Sequence, residues 1–434
     1  MSGTASGSGA APPMARVLPV LAALTALAPL SVDIYTPSLP AVQEELGGSD
    51  ALTQGGVTLF LLGIGLGQLV WGPLSDRFGR RPVILLGVAG WTLASGLDAL
   101  ATGPEMLVAV RALAGLCGAA GIVVARSVVR DLSTDTHAMA SRIGVLAMVT
   151  SIAPVVAPIL GAAIAGAWGW RADFVVLAAL GGVMLLVFAL AVPETLPPSR
   201  RSQGGLGAIT GGLARAGANR EVAGAALALG AHAFGFYAYI ATASFVVERE
   251  LGRSPAAFAL VFGTNAVAVL AANMVFRRLV RRRHPAGPLG LGLAISAVSG
   301  AALWVAASLG APELLWWLAS MGFAAGTGLV LPGAHSWAQA TPVASGAASA
   351  LTGSAQFLGG VLGSPVTGLM GPTAAHLGIV IALASTAAVA IWAAARPRIV
   401  PTPSPASPAS HRPADPGPTP SAPPRKVDSH DHDR

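Results

Sequence analysis

The sequence predicts an all-α polytopic membrane protein of twelve transmembrane helices in two pseudo-symmetric six-helix bundles. Three observations carry this. Of the 434 residues, 53% are hydrophobic and only 10% charged, with a mean hydropathy of +0.67. A soluble domain carries about 25% charged residues, so this chain lacks the polar surface to be wetted all round. Uncharged runs of about 20 residues, enough for a span, recur along it, and arginines gather in alternate gaps between them. The net charge of +7 does not indicate nucleic-acid binding, because the excess is Arg placed between apolar runs rather than a solvated basic face. A single cysteine, Cys117, excludes an internal disulfide and a cysteine-based metal cluster.

The spans follow in order. Roughly Val17–Leu39 is the first and Ala51–Ser75 the second. Pro82–Ala101, Glu105–Ala125, Ile143–Trp170 and Phe174–Pro193 complete the first half. Val222–Val247, Ser254–Phe276 and Pro285–Pro312 open the second. From Leu314 to Ala395 there is no acid, Lys or Arg, and the breaks near Pro332–Gly346 and Gly371–Thr373 divide this stretch into three spans. With the N-terminus inside, Arg16, Arg77, Arg80, Arg81, Arg126, Arg130 and Arg142 fall in cytoplasmic segments, as do Arg200, Arg201, Arg215, Arg220 and the run from Arg277 to Arg283. Arg171, Arg249 and Arg253 fall outside. Both termini are thus expected in the cytoplasm.

The predicted organisation is a disordered segment at 1–15, bundles at 16–193 and 221–395, a cytoplasmic linker at 194–220 and a disordered Pro-rich tail at 396–434. His430-Asp431-His432 in that tail reads as solvated chain, not as a metal site. Near-equal halves suggest duplication, which puts a transporter's substrate site at their interface near the midplane.

Asp33 lies inside an apolar span, where a carboxylate at mid-depth costs a few kcal/mol. Removal of water opposes its charged form, making Asp33 the candidate proton carrier. Arg111 is the second intramembrane charge. At about 1.5 Å per residue both sit roughly 10 Å below the outer boundary, a depth that permits a pair or merely a structural lock between helices. Asp98, near an outer helix end, is expected to reach water.

Between spans two and three the chain reads Gly72-Pro73-Leu74-Ser75-Asp76-Arg77-Phe78-Gly79-Arg80-Arg81. A plain positive-inside loop has no need of an acid between two glycines. This segment resembles the G-x-L-x-D-R-x-G-R-R motif of the major facilitator superfamily. Ser31-Val32-Asp33-Ile34-Tyr35-Thr36-Pro37-Ser38-Leu39-Pro40 is similar to the D-x-Y-x-P-x-L-P motif of its drug:proton antiporters of the Bcr/CflA group. Arg111-Ala112-Leu113-Ala114-Gly115 resembles the fourth-span R-x-x-Q-G motif, with Ala114 in place of Gln. Ala153, Pro154, Ala157, Pro158 and Gly161 match the fifth-span antiporter motif, with Ala162 in place of its last Gly. The second half keeps only the positive charge of the loop motif, at Arg277 to Arg283.

The resemblance implies a bacterial inner-membrane antiporter that exports small amphiphilic compounds while protons enter. Asp33 and Arg111 would couple the proton. The loop residues Gly72, Asp76, Arg77, Gly79, Arg80 and Arg81, with Arg130, would latch the cytoplasmic side. Tyr35, Tyr239, Asn265 and Gln356 are candidates to line the cavity, and interhelical hydrogen bonding is the competing role for the last three. His232 and Tyr237 could line it as well, with packing as the competing role for His232, and Trp316 and Trp317 are expected in the interfacial aromatic belt. The expected partners are a small molecule, protons and the bilayer, for a monomer without cofactor or metal. No H-E-x-x-H and no phosphate loop appears, so the sequence reads as a carrier driven by an ion gradient rather than as an enzyme. Export of an endogenous metabolite or peptide is the alternative within this fold, and a non-transporting membrane sensor the alternative outside it.

Overall fold

Backbone amides in lipid must find partners within the chain, and a helix meets that demand segment by segment. A computed structural model describes residues 14–47, 50–203 and 206–396, and twelve long helices carry most of them. In the first half these are α1 (Met14–Asp33), α2 (Asp50–Phe78), α3 (Arg80–Ala99), α4 (Pro104–Asp131), α5 (Thr136–Trp168) and α6 (Arg171–Ala191). In the second they are α7 (Arg220–Ser244), α8 (Pro255–Leu279), α9 (Ala286–Ser308), α10 (Glu313–Gln339), α11 (Ser345–Gly363) and α12 (Ala374–Ala395). Ten stretches among the described residues are long and apolar enough to cross a membrane. α5 and α11 complete the set of long helices. α11 is rich in Gly, Ala, Ser and Thr because it is hemmed in by α7, α2 and α4, where small side chains let helices approach closely.

The packing repeats on adding six to each helix number. In the first half α2 and α3 lie on α4, α3 on α6 and α1 on α5. In the second, α8 and α9 lie on α10, α9 on α12 and α7 on α11. The contacts between halves obey the same rule, α2 with α11 matching α8 with α5. Between α6 and α7 the chain forms a short helix, Leu206–Ala218.

Several boundaries differ from the sequence expectation. α1 begins at Met14, inside the segment 1–15 left out of the first bundle. It stops at Asp33, and the chain turns through Thr36–Ser38 into a short helix, Leu39–Leu46, because Pro37 and Pro40 supply no amide donor. α10 runs straight through Pro332 and ends at Gln339, so the break before α11 lies at 340–344. Most of the Gly72–Arg81 segment is helical. Gly79 alone separates α2 from α3, at a φ of 101° that a side chain would strain. Arg126 and Arg130 are inside α4 rather than in a loop. The expectations for 1–13 and 397–434 lie outside the described residues.

Ends are fixed locally. Asp135 caps α5 by accepting the Ala138 N–H at 2.8 Å, which holds its carboxyl below the ordinary carboxylate range. At the far end Trp170 donates to Glu45 at 2.7 Å, tying the short helix after α1 to the start of α6. Gly161 of α5 packs on the break after α1, where an added Cβ would fall 1.6 Å from the Ile34 carbonyl oxygen. Ala162 is exposed, so its replacement of Gly meets no neighbouring helix there. Gly161→Ala should therefore force α1 and α5 apart and cost about 1–3 kcal/mol, the usual range for overpacking. Thermal unfolding in detergent checks this, and an unchanged midpoint alongside Ala162→Gly would contradict the close approach.

Candidate functional site

The arginine-rich end is closed by one buried guanidinium. Arg80, at the start of α3, donates Nη1 to Asp76 Oδ1 at 2.7 Å and to Ser75 Oγ at 2.7 Å. Its Nε reaches Asp131 Oδ2 at 2.8 Å, and Nη2 reaches Ser345 Oγ at 2.7 Å across the interface between halves. Asp76 also accepts the Gly346 and Ala347 amides at 3.1 and 3.2 Å. Those amides open α11, where free N–H groups and the helix dipole favour an anion. Arg130 donates to the carbonyls of Val343 and Thr341 at 2.6 and 2.7 Å in the turn before α11. Gly72 lies against the Gly346 carbonyl, and a Cβ on it would approach to 2.3 Å.

The other loop residues serve the first half alone. Glu194 accepts the Arg80 and Arg81 amides at 2.9 and 3.2 Å, closing the start of α3, and Arg81 donates to the Ala189 carbonyl at 2.8 Å. Gly79 leaves room for Glu194, since a Cβ would fall 2.3 Å from its Oε2. Arg77 stacks over Phe78 at 5.0 Å.

At the opposite end Arg111 is fully buried, and its partners are not those that equal depth suggests. It donates to Ser31 Oγ at 2.9 Å and to the Ser31 carbonyl at 2.8 Å, both on α1. Its ion pair is with Asp98, at 3.6 Å. Asp98 does not reach water; it is fully buried, because α3 ends against α4 rather than at the surface. The rings of Phe60, Tyr35 and Phe174 surround the guanidinium at 4.0, 4.7 and 5.7 Å, an arrangement that suits a cation. Asp173, which the sequence reading passed over, is a further buried acid and accepts from Ser38 Oγ at 2.9 Å. Its signal was present in the sequence, an acid inside the apolar run after Arg171, and was obscured by its closeness to a span end.

Asp33 stands apart from these pairs. It is half-buried at the break of α1, within electrostatic reach of Tyr237 of α7, and among the described residues it enters no ion pair. The antiporter-motif residues Ala153 and Ala157 are buried on α5; Pro158 is half-buried, and the Pro154 side chain is outside the described residues. Tyr239 and Asn265 are buried and joined at 2.5 Å, with Ser320 of α10 at 3.2 Å from the amide. Gln356 meets His335 Nε2 at 3.0 Å. His232 is buried against Thr327 at 3.0 Å. Trp316 is buried and Trp317 is half-buried, donating to Thr264 at 2.9 Å, so both pack between helices.

Removing one partner from a buried ion pair costs about 3–5 kcal/mol. Asp76→Asn should thus loosen the arginine-rich end while leaving Arg80 held by Asp131. With Cys117 replaced by Ala, a cysteine at the buried Ala347 should react with maleimide several-fold faster in the Asp76→Asn background. Equal rates would show that Asp76 does not hold α11 there.

The model of the Major Facilitator Superfamily matches residues 21–364. The uncharacterized MFS-type transporter YdgK of Bacillus subtilis is 31% identical over 365 residues, covering 83% of this chain and 90% of that protein. A bicyclomycin resistance protein homolog of Haemophilus influenzae is 30% identical over 362 residues, covering 82% and 90%. Among solved structures the proton:xylose symporter XylE superimposes with a TM-score of 0.71 over 87% of this chain and 94% of that one, at 16% identity, a likeness of fold. With motifs, packing repeat and matched relatives in agreement, the chain belongs to the major facilitator superfamily of membrane transporters.

Proposed function

We propose that this chain is a proton-coupled exporter of small amphiphilic compounds, working as a monomer in the bacterial cytoplasmic membrane by alternating access. The observation that carries this reading is the Asp76–Arg80–Ser345 tie between the halves, set apart from Asp33 in the broken first helix, which has no ion-pair partner among the described residues. The printed name of the Haemophilus relative, a bicyclomycin resistance protein homolog, supports a drug-like substrate. Arginine placement supports a cytoplasmic arginine-rich end, with both termini on that side. In this reading the conformation described above is closed toward the cytoplasm.

The cycle needs two ligands that each favour one state over the other, since a ligand bound equally by both shifts nothing. Protonated Asp33 is neutral and lets the empty carrier reopen inward. Substrate entering from the cytoplasm displaces that proton, and the halves rock so that the arginine-rich end closes again. Substrate then leaves outside and Asp33 takes up its next proton. Asp98 differs because Arg111 offsets its charge at 3.6 Å. Tyr35, packed 5.3 Å from Phe174, joins the Arg111 cluster to the segment that follows Asp33. The energy source is the proton gradient, with no cofactor required.

Liposomes with an imposed pH gradient and a pH-sensitive dye inside test this. Amphiphilic antibiotics should drive proton movement in the wild type, and Asp33→Asn should abolish it, whereas Asp98→Asn should retain part of it. Proton movement that survives Asp33→Asn would move the coupling site elsewhere. Metabolite-driven movement without any response to drugs would favour an endogenous substrate.

A further inference from the structure

A second charged cluster crosses the interface between halves and takes no part in the latch. Arg126, expected in a cytoplasmic segment, is buried in α4. Its Nη2 donates to Gln68 Oε1 of α2 at 2.6 Å, and its Nη1 meets His335 Nδ1 of α10 at 2.5 Å. The other ring nitrogen, Nε2, lies 3.0 Å from Gln356 Oε1 of α11, and a carboxamide oxygen can only accept. Arg126 Nη1 also lies 2.8 Å from Nε2, so the guanidinium meets both ring nitrogens, and Thr352 Oγ1 lies 3.2 Å from Nδ1.

Every acceptor on this guanidinium is neutral: Gln68, His335 and the Ile122 carbonyl at 3.2 Å. Among the described residues no carboxylate bridges to it, whereas Arg80 has Asp76 and Asp131, and Arg111 has Asp98. A buried cation without a counter-charge is costly. Gln68 adds a second unmet demand, since its Nε2 is buried and has no hydrogen-bond partner. The room for both groups comes from Gly353 of α11, where a Cβ would fall 1.6 Å from Gln68 Oε1 and 2.7 Å from Arg126 Nη2.

The halves divide this cluster unequally. Arg126 and Gln68 belong to the first, and His335, Gln356 and Gly353 to the second. When the halves part at this end, Arg126 Nη1 loses its acceptor and faces the opening with a spare donor beside the spare donor of Gln68. We propose that Arg126 and Gln68 bind an anionic oxygen group, a carboxylate or equivalent oxyanion, of the transported compound. His335 occupies that position on Arg126 while the arginine-rich end is closed. A guanidinium suits such a group because its parallel N–H donors match two oxygens. Ligand and His335 compete for one donor, so the return of His335 on closing displaces the oxyanion from Arg126 and passes the compound on toward the outer side. This inference rests on the alternating-access reading above and adds to it the chemical class of one substrate group.

The test uses the full chain in lipid nanodiscs, with 2-naphthoate and its methyl ester as matched probes. Binding is followed by quenching of tryptophan fluorescence and corrected with empty nanodiscs. The wild type should bind the acid at least tenfold more tightly than the ester. Arg126→Gln should erase that preference, Arg126→Lys should keep part of it, and His335→Ala should tighten acid binding several-fold by removing the competitor. A wild type without acid preference, or Arg126→Gln that retains it, overturns the proposal. Should Arg126→Gln fail to fold, His335→Ala decides, since an unchanged acid affinity there removes the competition. A wild type that binds the acid but moves nothing under a pH gradient overturns the exporter reading and leaves this site standing.

Discussion

The Arg80 guanidinium makes four hydrogen bonds at one end of the molecule, and the arrangement of the halves there follows from them. Two go to carboxylates of its own half, so its charge is compensated before the second half arrives. The bridge across the interface is made by neutral groups, Ser345 Oγ and the first amides of α11. This division matters for a moving part. If an ion pair itself spanned the interface, separation would leave each buried charge without its partner, the costly way to break a buried pair. Here the charges stay paired, and separation exposes a hydroxyl and helix-end amides that water can satisfy. The Arg80 tie is thus broken at a cost of hydrogen bonds rather than of bare charges.

The same distinction holds for the Arg111–Asp98 pair. Arg111 and Asp98 form a pair wholly inside the first half, wrapped by Phe60, Tyr35 and Phe174. Its donors also grip Ser31, two residues before Asp33, so this pair fixes the end of α1 where the helix breaks. Gly161 presses on the same break from α5. Asp33 thus has close-packed neighbours on both sides while its own carboxylate has no ion-pair partner among the described residues. A group placed this way can change its charge without dismantling the surrounding helices.

Much of this was legible in the sequence. The length of uncharged runs and the placement of arginine point to twelve spans, and the compact run from Gly72 to Arg81 points to Asp76 and Arg80 as a unit. Less legible was where a helix ends. The arginines at 77, 126 and 130 read as loop residues because charge is expensive in lipid, yet each is helical. Protein packing, not water, satisfies Arg126 and Arg130, and a one-dimensional reading of charge cannot distinguish those solvents. Asp98 was misplaced for the converse reason. Closeness to a helix end implies water only if no neighbouring helix covers that end, and α4 covers it. Tyr239 and Asn265 were chosen as polar residues at mid-depth, and their mutual bond depends on α7 and α8 meeting, which no spacing within either helix reveals.

In the proposed cycle ligands have to move this interface, whose two sides differ. α2 with α11 and α5 with α8 are equivalent contacts under the six-helix repeat, but their chemistry differs. On the α2–α11 side lie Asp76, Arg80 and the amides of α11. On the α5–α8 side His137 Nδ1 donates to the Val280 carbonyl at 2.6 Å, and Phe276, Val280 and Ala140 form a small apolar cluster. The strong side acts as the lock and the weak side as the seal. For the carrier to cycle, the free energy lost on opening must be returned by contacts in the other state and by bound ligand, to within a few kcal/mol. A lock built wholly of buried cross-interface ion pairs would exceed that range. One built of helix-end amides, a hydroxyl and two backbone carbonyls stays inside it, because each net hydrogen bond contributes only about 0.5–1.5 kcal/mol. Around Arg80 the charges therefore lie in the first half, and the second half supplies the Ser345 hydroxyl and backbone groups.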